Sequence, residues 1–180
     1  MHSDVLRRTI AGSMTLIPDE IFFSWHGGEP LLAGREFFET VVRLQQLYRR
    51  SEQKVENWIQ TNGTLLDRDW IDFFHRHEWK LSISLDGPCD IHDSQRSYRD
   101  GRGTFEDVMS ALRLMRANGM EYSVLVVLTR NSVGRVQEIY DFLVKNDIRH
   151  FDFLPCTTHG LSDYQHNLGI SAVEYANTML

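Results

Sequence analysis

The chain has 180 residues, of which 42% are hydrophobic and 24% charged, a balance that excludes disordered and fibrous classes and is long enough for one domain with its own core. With 19 basic and 25 acidic residues the net charge is −6, histidine counted neutral, which argues against a general binder of nucleic acid or anionic membrane. No apolar run approaches the ~20 residues of a membrane span, the Arg7–Arg8 start lacks a signal peptide's apolar stretch, and Cys89 and Cys156 form neither a CxxC pair nor a disulfide framework. A cytoplasmic, single-domain protein is the plain expectation.

Along the chain, short solid or period-2 apolar runs alternate with a 3.6-residue period. Met1–Ser13 reads as a helix, Glu20–Trp25 (EIFFSW) as a short buried strand, and Arg35–Arg50 as a helix with Phe37, Phe38, Val41, Leu44 and Tyr48 inward. Lys54–Thr61 is a second strand, ended by Asn62-Gly63. Asp67 then N-caps a helix carrying Trp70, Ile71 and Phe74, because its carboxylate can take the unpaired N–H groups of the first turn. Lys80–Leu85 alternates and stops at Asp86-Gly87-Pro88, and Ile91–Arg96 reads as a loop. A helix starts near Thr104 with Phe105, Val108, Met109, Leu112 and Met115 along one stripe, and Asn118-Gly119 stops it. Tyr122–Leu128 (YSVLVVL) is nearly solid, the pattern of a parallel sheet covered on both faces. Ser132 is placed to cap the next helix, in which Val136, Ile139, Tyr140 and Leu143 recur at helical spacing. Arg149–Leu154 is the fifth strand, and Ser171–Leu180 begins another helix.

Five strands alternating with helices imply βα units, a parallel sheet and right-handed crossovers. The alternatives are an open doubly wound sheet and a βα barrel. No GxGxxG or Walker sequence follows the first strand. Instead each strand ends in a polar signature: His26-Gly27-Gly28-Glu29-Pro30, Thr61-Asn62-Gly63, Ser84-Leu85-Asp86-Gly87-Pro88, Thr129-Arg130-Asn131 and Pro155-Cys156. In a barrel such ends converge on one face, where active sites are built, so the pattern favours a barrel or part of one.

Each signature has a functional and a structural reading. Gly27-Gly28 lets a backbone approach a ligand closely, and Glu29 behind it can accept from an ammonium group; alternatively Glu29 caps a tight turn. Asn62 before Gly63 is a polar ligand contact or a turn-former. Ser84 and Asp86 share one side of their strand and so can face a barrel mouth. Arg96 can grip a carboxylate or phosphate bidentately, or be a solvated loop arginine. His26, His92, Asp86 and Asp93 can be taken as ligands of a hydrolytic divalent metal, although no HxH or HExxH spacing supports that. His75 and His77 read as surface histidines, and the two cysteines as ordinary small residues of a reduced compartment.

In combination and order, HGGEPLL, QTNGTLL, SLDGPxxIHDxxR, GxGTF and FLP, spread from Glu20 to Leu154, resemble the radical S-adenosylmethionine enzymes of the anaerobic sulfatase-maturating, SPASM-extended type. The resemblance implies a partial parallel βα barrel binding S-adenosylmethionine on a [4Fe–4S] cluster. Gly27, Gly28 and Glu29 would then hold the cofactor's amino group. Ser84 and Arg96 would bind its carboxylate, where a guanidinium is the natural partner. Asn62 and Asp86 would complete the polar wall, with His26 and Asp86 beside a peptide or protein substrate. A 5′-deoxyadenosyl radical would abstract hydrogen from a substrate cysteine or serine, yielding formylglycine, and a reducing electron donor is implied. The cofactor supplies the hard chemistry and the protein the orientation.

The chain departs from that pattern in one respect. The family's cluster is held by a CxxxCxxC motif ahead of HGGEP, since iron clusters select thiolates. Here no cysteine precedes His26, and Cys89 and Cys156 are too few to substitute. The family's auxiliary-cluster cysteines and its substrate base have no counterpart either, so no catalytic or metal-ligating residue is identified. The expectation is therefore an internal piece: one domain over 1–180, strands two to six of a barrel, without the first strand, cluster loop or C-terminal iron–sulfur extension. Three functions follow: a part of a sulfatase-maturating enzyme, a part of a maturase that crosslinks a ribosomal peptide through thioether or carbon–carbon bonds, or a non-catalytic fragment. Such a piece would expose the edge of Glu20–Trp25, with Ile21, Phe22 and Phe23, and self-associate.

Overall fold

Branched and aromatic runs form five strands: β1 (Glu20–Trp25), β2 (Lys54–Thr61), β3 (Lys80–Ser84), β4 (Tyr122–Leu128) and β5 (Phe151–Pro155). The computed structural model describes residues 3–17, 19–157 and 167–179. Among these residues the α-helices are α1 (Ser3–Leu16), α2 (Arg35–Tyr48), α3 (Arg68–Arg76), α4 (Cys89–Gln95), α5 (Phe105–Ala117), α6 (Val136–Lys145) and α7 (Ala172–Thr178), with 3-10 turns at Pro30–Ala33 and Val133–Arg135. Met1 and Leu180, the outer ends of the two terminal helices expected from sequence, lie outside the described residues.

Every strand pair is parallel, and the spatial order β1-β2-β3-β4-β5 repeats the chain order. A doubly wound sheet reverses its direction of growth at a switch point. This one adds each strand on the same side, which is how a βα barrel grows. Of the two architectures open to the sequence, the fold is the partial barrel.

The sheet packs one face into the core. Ile21, Ile59, Leu81, Ile83, Val124, Val126 and Leu128 join Leu6 and Ile10 of α1, Phe38 of α2, Ile71 of α3 and Leu112 of α5 in one continuous core. On the opposite face Phe22, Trp58 and Leu154 are 58%, 41% and 44% exposed. This corrects the expectation for β4: its buried residues alternate with half-buried Ser123, Leu125 and Val127, so its apolar run reflects a sheet with one open, concave side. It also narrows the exposed β1 apolar set to Phe22, because Ile21 is buried and Phe23 half-buried.

Behind β1–β3 the core is aromatic. Phe38 meets Trp79 edge-on at 5.4 Å and Trp70 stacks on Phe74 at 5.4 Å, pairs that each add ~1 kcal/mol beyond area burial. One polar cluster is set into this layer. Asn57 accepts from Trp25 Nε1 (3.0 Å) and Gln45 Nε2 (2.8 Å) and donates to Gln45 Oε1 (2.9 Å). That pairing is why Gln45, not Leu44, is a fully buried residue of α2. Asp67 caps α3 as expected, accepting from Trp70 N–H at 2.9 Å. Ser132 does not cap α6, which starts only at Val136; its hydroxyl accepts from Thr129 N–H (3.0 Å) and closes the turn after β4. The stretch read as a loop before Arg96 is helix α4. CDIHDSQ buries only Ile91 and His92, too few to mark a helical stripe.

Candidate functional site

The C-terminal ends of β1, β2 and β3 lie side by side, and with strands about 4.8 Å apart they span roughly 10 Å, the scale of a small ligand. After β1, His26 is exposed. Gly27 and Gly28 take φ of +105° and +55°, which L side chains rarely adopt. Nothing lies within 4 Å of where a Cβ would stand at either glycine, so their main chain borders open space.

Glu29 turns the other way. Its Oε1 accepts from Leu31 N–H (3.0 Å) and Thr61 Oγ1 (2.6 Å), and its Oε2 from Asn62 N–H (2.7 Å). The carboxylate therefore caps the Pro30–Ala33 turn, as the structural reading foresaw, and also ties the glycine loop to the end of β2. A carboxylate offers about four lone-pair directions, so three donors leave it room for one more. Asn62 Oδ1 accepts from Thr64 N–H and Thr64 Oγ1, each at 2.9 Å. This is a side-chain-closed turn, and it leaves the Asn62 amide nitrogen without a partner among the described residues.

Ser84 and Asp86, expected on one side of their strand, make different contacts. Ser84 Oγ accepts from Gln60 Nε2 at 3.0 Å. Asp86 is 1% exposed and sits behind Arg96 rather than on the open side. Its Oδ2 takes Arg96 Nε (2.6 Å), and its Oδ1 takes Arg96 Nη2 (3.3 Å) and the Val127 N–H of β4 (2.9 Å). Arg96 is thus not a solvated loop arginine, although its side chain keeps 28% exposure. No direct hydrogen bond joins Ser84 to Arg96 among the described residues.

α4 carries the remaining members of the motif. His92 is fully buried; its Nδ1 accepts from Asp86 N–H (3.1 Å), which puts its proton on Nε2 facing Thr104 Oγ1 (3.0 Å). Burial holds the imidazole down to about 4, with Arg96 also lowering it against the opposing pull of Asp86, so it is neutral at pH 7. Asp93 Oδ1 accepts from Phe105 N–H (2.9 Å) at the start of α5, and its Oδ2 accepts from the Cys89 thiol (3.4 Å). Both His92 nitrogens and both Asp93 oxygens are therefore committed within the fold. Among the described residues no three His, Cys, Asp or Glu side chains come together as a metal site.

The ends of β4 and β5 serve the framework. Arg130 donates through its N–H to Leu168 O (2.9 Å) and through Nη2 to Gly169 O (3.1 Å), and Cys156 N–H bonds Leu128 O (2.8 Å). Three residues of the quoted motifs, Gln60, Thr61 and Thr104, carry roles that the sequence reading does not assign. Gln60 was findable, being two residues from Asn62 on the same strand face; Thr61 and Thr104 owe their roles to partners 32 and 12 residues away.

Residues 16–143 match the Radical SAM superfamily. The chain is 33% identical over 156 residues to the cysteine-type anaerobic sulfatase-maturating enzyme of Clostridium perfringens, covering 87% of this chain and 42% of that protein. It is 33% identical over 136 residues to the serine-type anaerobic sulfatase-maturating enzyme of Bacteroides thetaiotaomicron, covering 76% and 33%. The structure of native anSMEcpe with bound AdoMet and Cp18Cys peptide superposes with a TM-score of 0.92 at 29% identity, over 99% of this chain and 50% of that one. The chain thus spans a third to a half of the length of these three proteins. None of its described helices is long and apolar enough to cross a membrane. With a family match over most of its length, and polar groups gathered at successive ends of a sequentially ordered parallel sheet, the chain belongs to the radical SAM superfamily.

Proposed function

We propose that this chain is the cofactor-binding barrel segment, a single partial barrel domain over 1–180, of a cytoplasmic radical S-adenosylmethionine enzyme that oxidises a cysteine or serine of a sulfatase-type substrate to formylglycine. The observation that carries the reading is the close superposition on anSMEcpe holding AdoMet and a peptide, supported by relatives of both the cysteine and the serine type. The residues present fit S-adenosylmethionine. The open main chain at Gly27 and Gly28, with the spare acceptor capacity of Glu29, suits an ammonium group. The outward edge of Arg96, together with Ser84 and the Asn62 amide, suits a carboxylate. His26, exposed beside the glycines, is the residue for substrate contact, whereas buried Asp86 acts from behind Arg96. When bound, the cofactor supplies hydrogen abstraction; the chain binds and orients it.

The residues do not fit an iron–sulfur cluster. A cluster needs three or four thiolates, and the chain has two cysteines. The Cys89 thiol is pushed up by its hydrogen bond to Asp93, which disfavours the thiolate. Electron entry from a reducing donor would require a cluster held by thiolates other than these two. The test is titration of the chain with S-adenosylmethionine, then with a cysteine-containing sulfatase peptide. Saturable cofactor binding that Arg96→Ala weakens, followed by peptide binding, is the expected result. No cofactor binding at millimolar concentration overturns the reading. Anaerobic iron–sulfide reconstitution should leave the chain without [4Fe–4S] absorbance, and its appearance would refute the cysteine argument.

A further inference from the structure

We propose that Arg96 is held by a two-point clamp, Asp86 on its guanidinium and the His92–Thr104 pair on its main chain, and that Asp86 and Thr104 are positioning residues for the carboxylate of S-adenosylmethionine. The proposal rests on the cofactor reading above. A guanidinium has two edges that can grip a carboxylate with paired N–H groups: Nε with Nη2, and Nη1 with Nη2. Asp86 occupies the first (2.6 and 3.3 Å). Nη1 has no partner among the described residues, so the second edge stays available at the exposed end of the side chain.

Asp86 is itself immobilised. Its Oδ1 accepts from Val127 N–H of the neighbouring strand and its own N–H donates to His92 Nδ1. At the other end, Arg96 N–H donates to the His92 carbonyl (2.8 Å). The Arg96 carbonyl accepts from Thr104 Oγ1 (3.2 Å), and that hydroxyl in turn takes the Nε2–H of His92. One hydroxyl thus joins the imidazole to the main chain of Arg96. An arginine on a surface loop would lose rotamer freedom on gripping a ligand; here that ordering is already done by the fold. Asp86 also cancels the arginine's charge, so what the pair offers is direction rather than net attraction.

Thr104 gives the cleanest test, because changing it alters no charge. Dissociation constants for S-adenosylmethionine would be measured by ligand-observed NMR for wild type, Thr104→Ser, Thr104→Val, Arg96→Ala and the double variant Thr104→Val/Arg96→Ala. Thr104→Val should weaken binding about fivefold, the worth of one ordinary hydrogen bond. Thr104→Ser should bind like the wild type, and the double variant like Arg96→Ala. Wild-type affinity in Thr104→Val, or the same weakening persisting without Arg96, overturns the clamp. If the wild type binds no cofactor, it is the cofactor reading that fails. The clamp is then decided by solvent exchange of the Arg96 Nε–H, slow in wild type and fast in Asp86→Asn; an unchanged rate refutes it.

Discussion

Replacing Gly103 by alanine tests why the GxGTF motif has a glycine immediately before Thr104. A Cβ there would lie 2.0 Å from Asp93 Oδ2 and 2.1 Å from its Cγ, far inside contact distance. The backbone at Gly103 needs no positive φ, so the whole penalty is this collision. Relief requires the Asp93 carboxylate to swing away, which breaks its bond to Phe105 N–H at the start of α5. Loss of such a cap costs ~1 kcal/mol, and loss of a carboxylate at a helix N-terminus about 0.5 more. Alanine also narrows the unfolded ensemble, which offsets ~0.5 kcal/mol. The net expectation is destabilisation of about 1 kcal/mol, read by urea unfolding with an unchanged m-value. The decisive comparison is an Asp93→Gly background, where the colliding carboxylate is gone: there Gly103→Ala should be neutral or slightly stabilising. Equal losses in both backgrounds would mean the two sites are independent, and the explanation would fail.

Acid should destabilise the fold through His92. Its folded value of about 4 lies below the ordinary 6.5, so the unfolded chain binds more protons between those limits; the contribution is full above pH 6.5 and disappears as pH falls toward 4, on the order of 3 kcal/mol. Unfolding free energies at pH 7 and 4.5 should converge in His92→Gln relative to wild type, and parallel pH slopes would refute this. Asn57→Leu strands the buried amide of Gln45 and the indole N–H of Trp25, and should cost about 3 kcal/mol in the same assay. Glu29→Gln sets an amide N–H against a donor in a site that receives three; ~2 kcal/mol and faster exchange of the Asn62 amide are expected. With β1 paired only to β2 among the described residues and Phe22 open on the concave side, sedimentation should show concentration-dependent association that Phe22→Lys reduces.

The strands were legible because their signal is local. EIFFSW and YSVLVVL declare themselves within six or seven residues, and β1, β2 and β4 fall on the ranges read from sequence. The coverage of β4 was not legible, since Ser123, Leu125 and Val127 look alike in a sequence whether a layer lies over them or not. α4 escaped for the opposite reason: Cys89–Gln95 is polar, two turns long and buried at only two positions, so neither length nor periodicity announces it. Ser132 was misassigned because a serine before an apolar period suits a helix cap and a strand-ending turn equally well.

The site was legible as a list of residues but not as a division of labour. Read along the chain, Gly27, Gly28, Glu29, Asn62, Ser84, Asp86 and Arg96 are equivalent candidates for touching a ligand. In the fold Asp86 is satisfied by Arg96 and Val127, His92 by Asp86 and Thr104, and Asp93 by Phe105 and Cys89, while Glu29 takes three donors and keeps one acceptor direction. What they leave outward is the glycine main chain, one edge of a guanidinium and a side-chain amide. Some of these partners, Glu29 with Asn62, Asp86 with Val127 and His92 with Thr104, come from 33, 41 and 12 residues away, which spacing cannot reveal. Charged residues that recur at strand ends are therefore as apt to be fixing another residue's direction as meeting a ligand, and the two are separated by asking which of their hydrogen-bonding directions the fold has already filled.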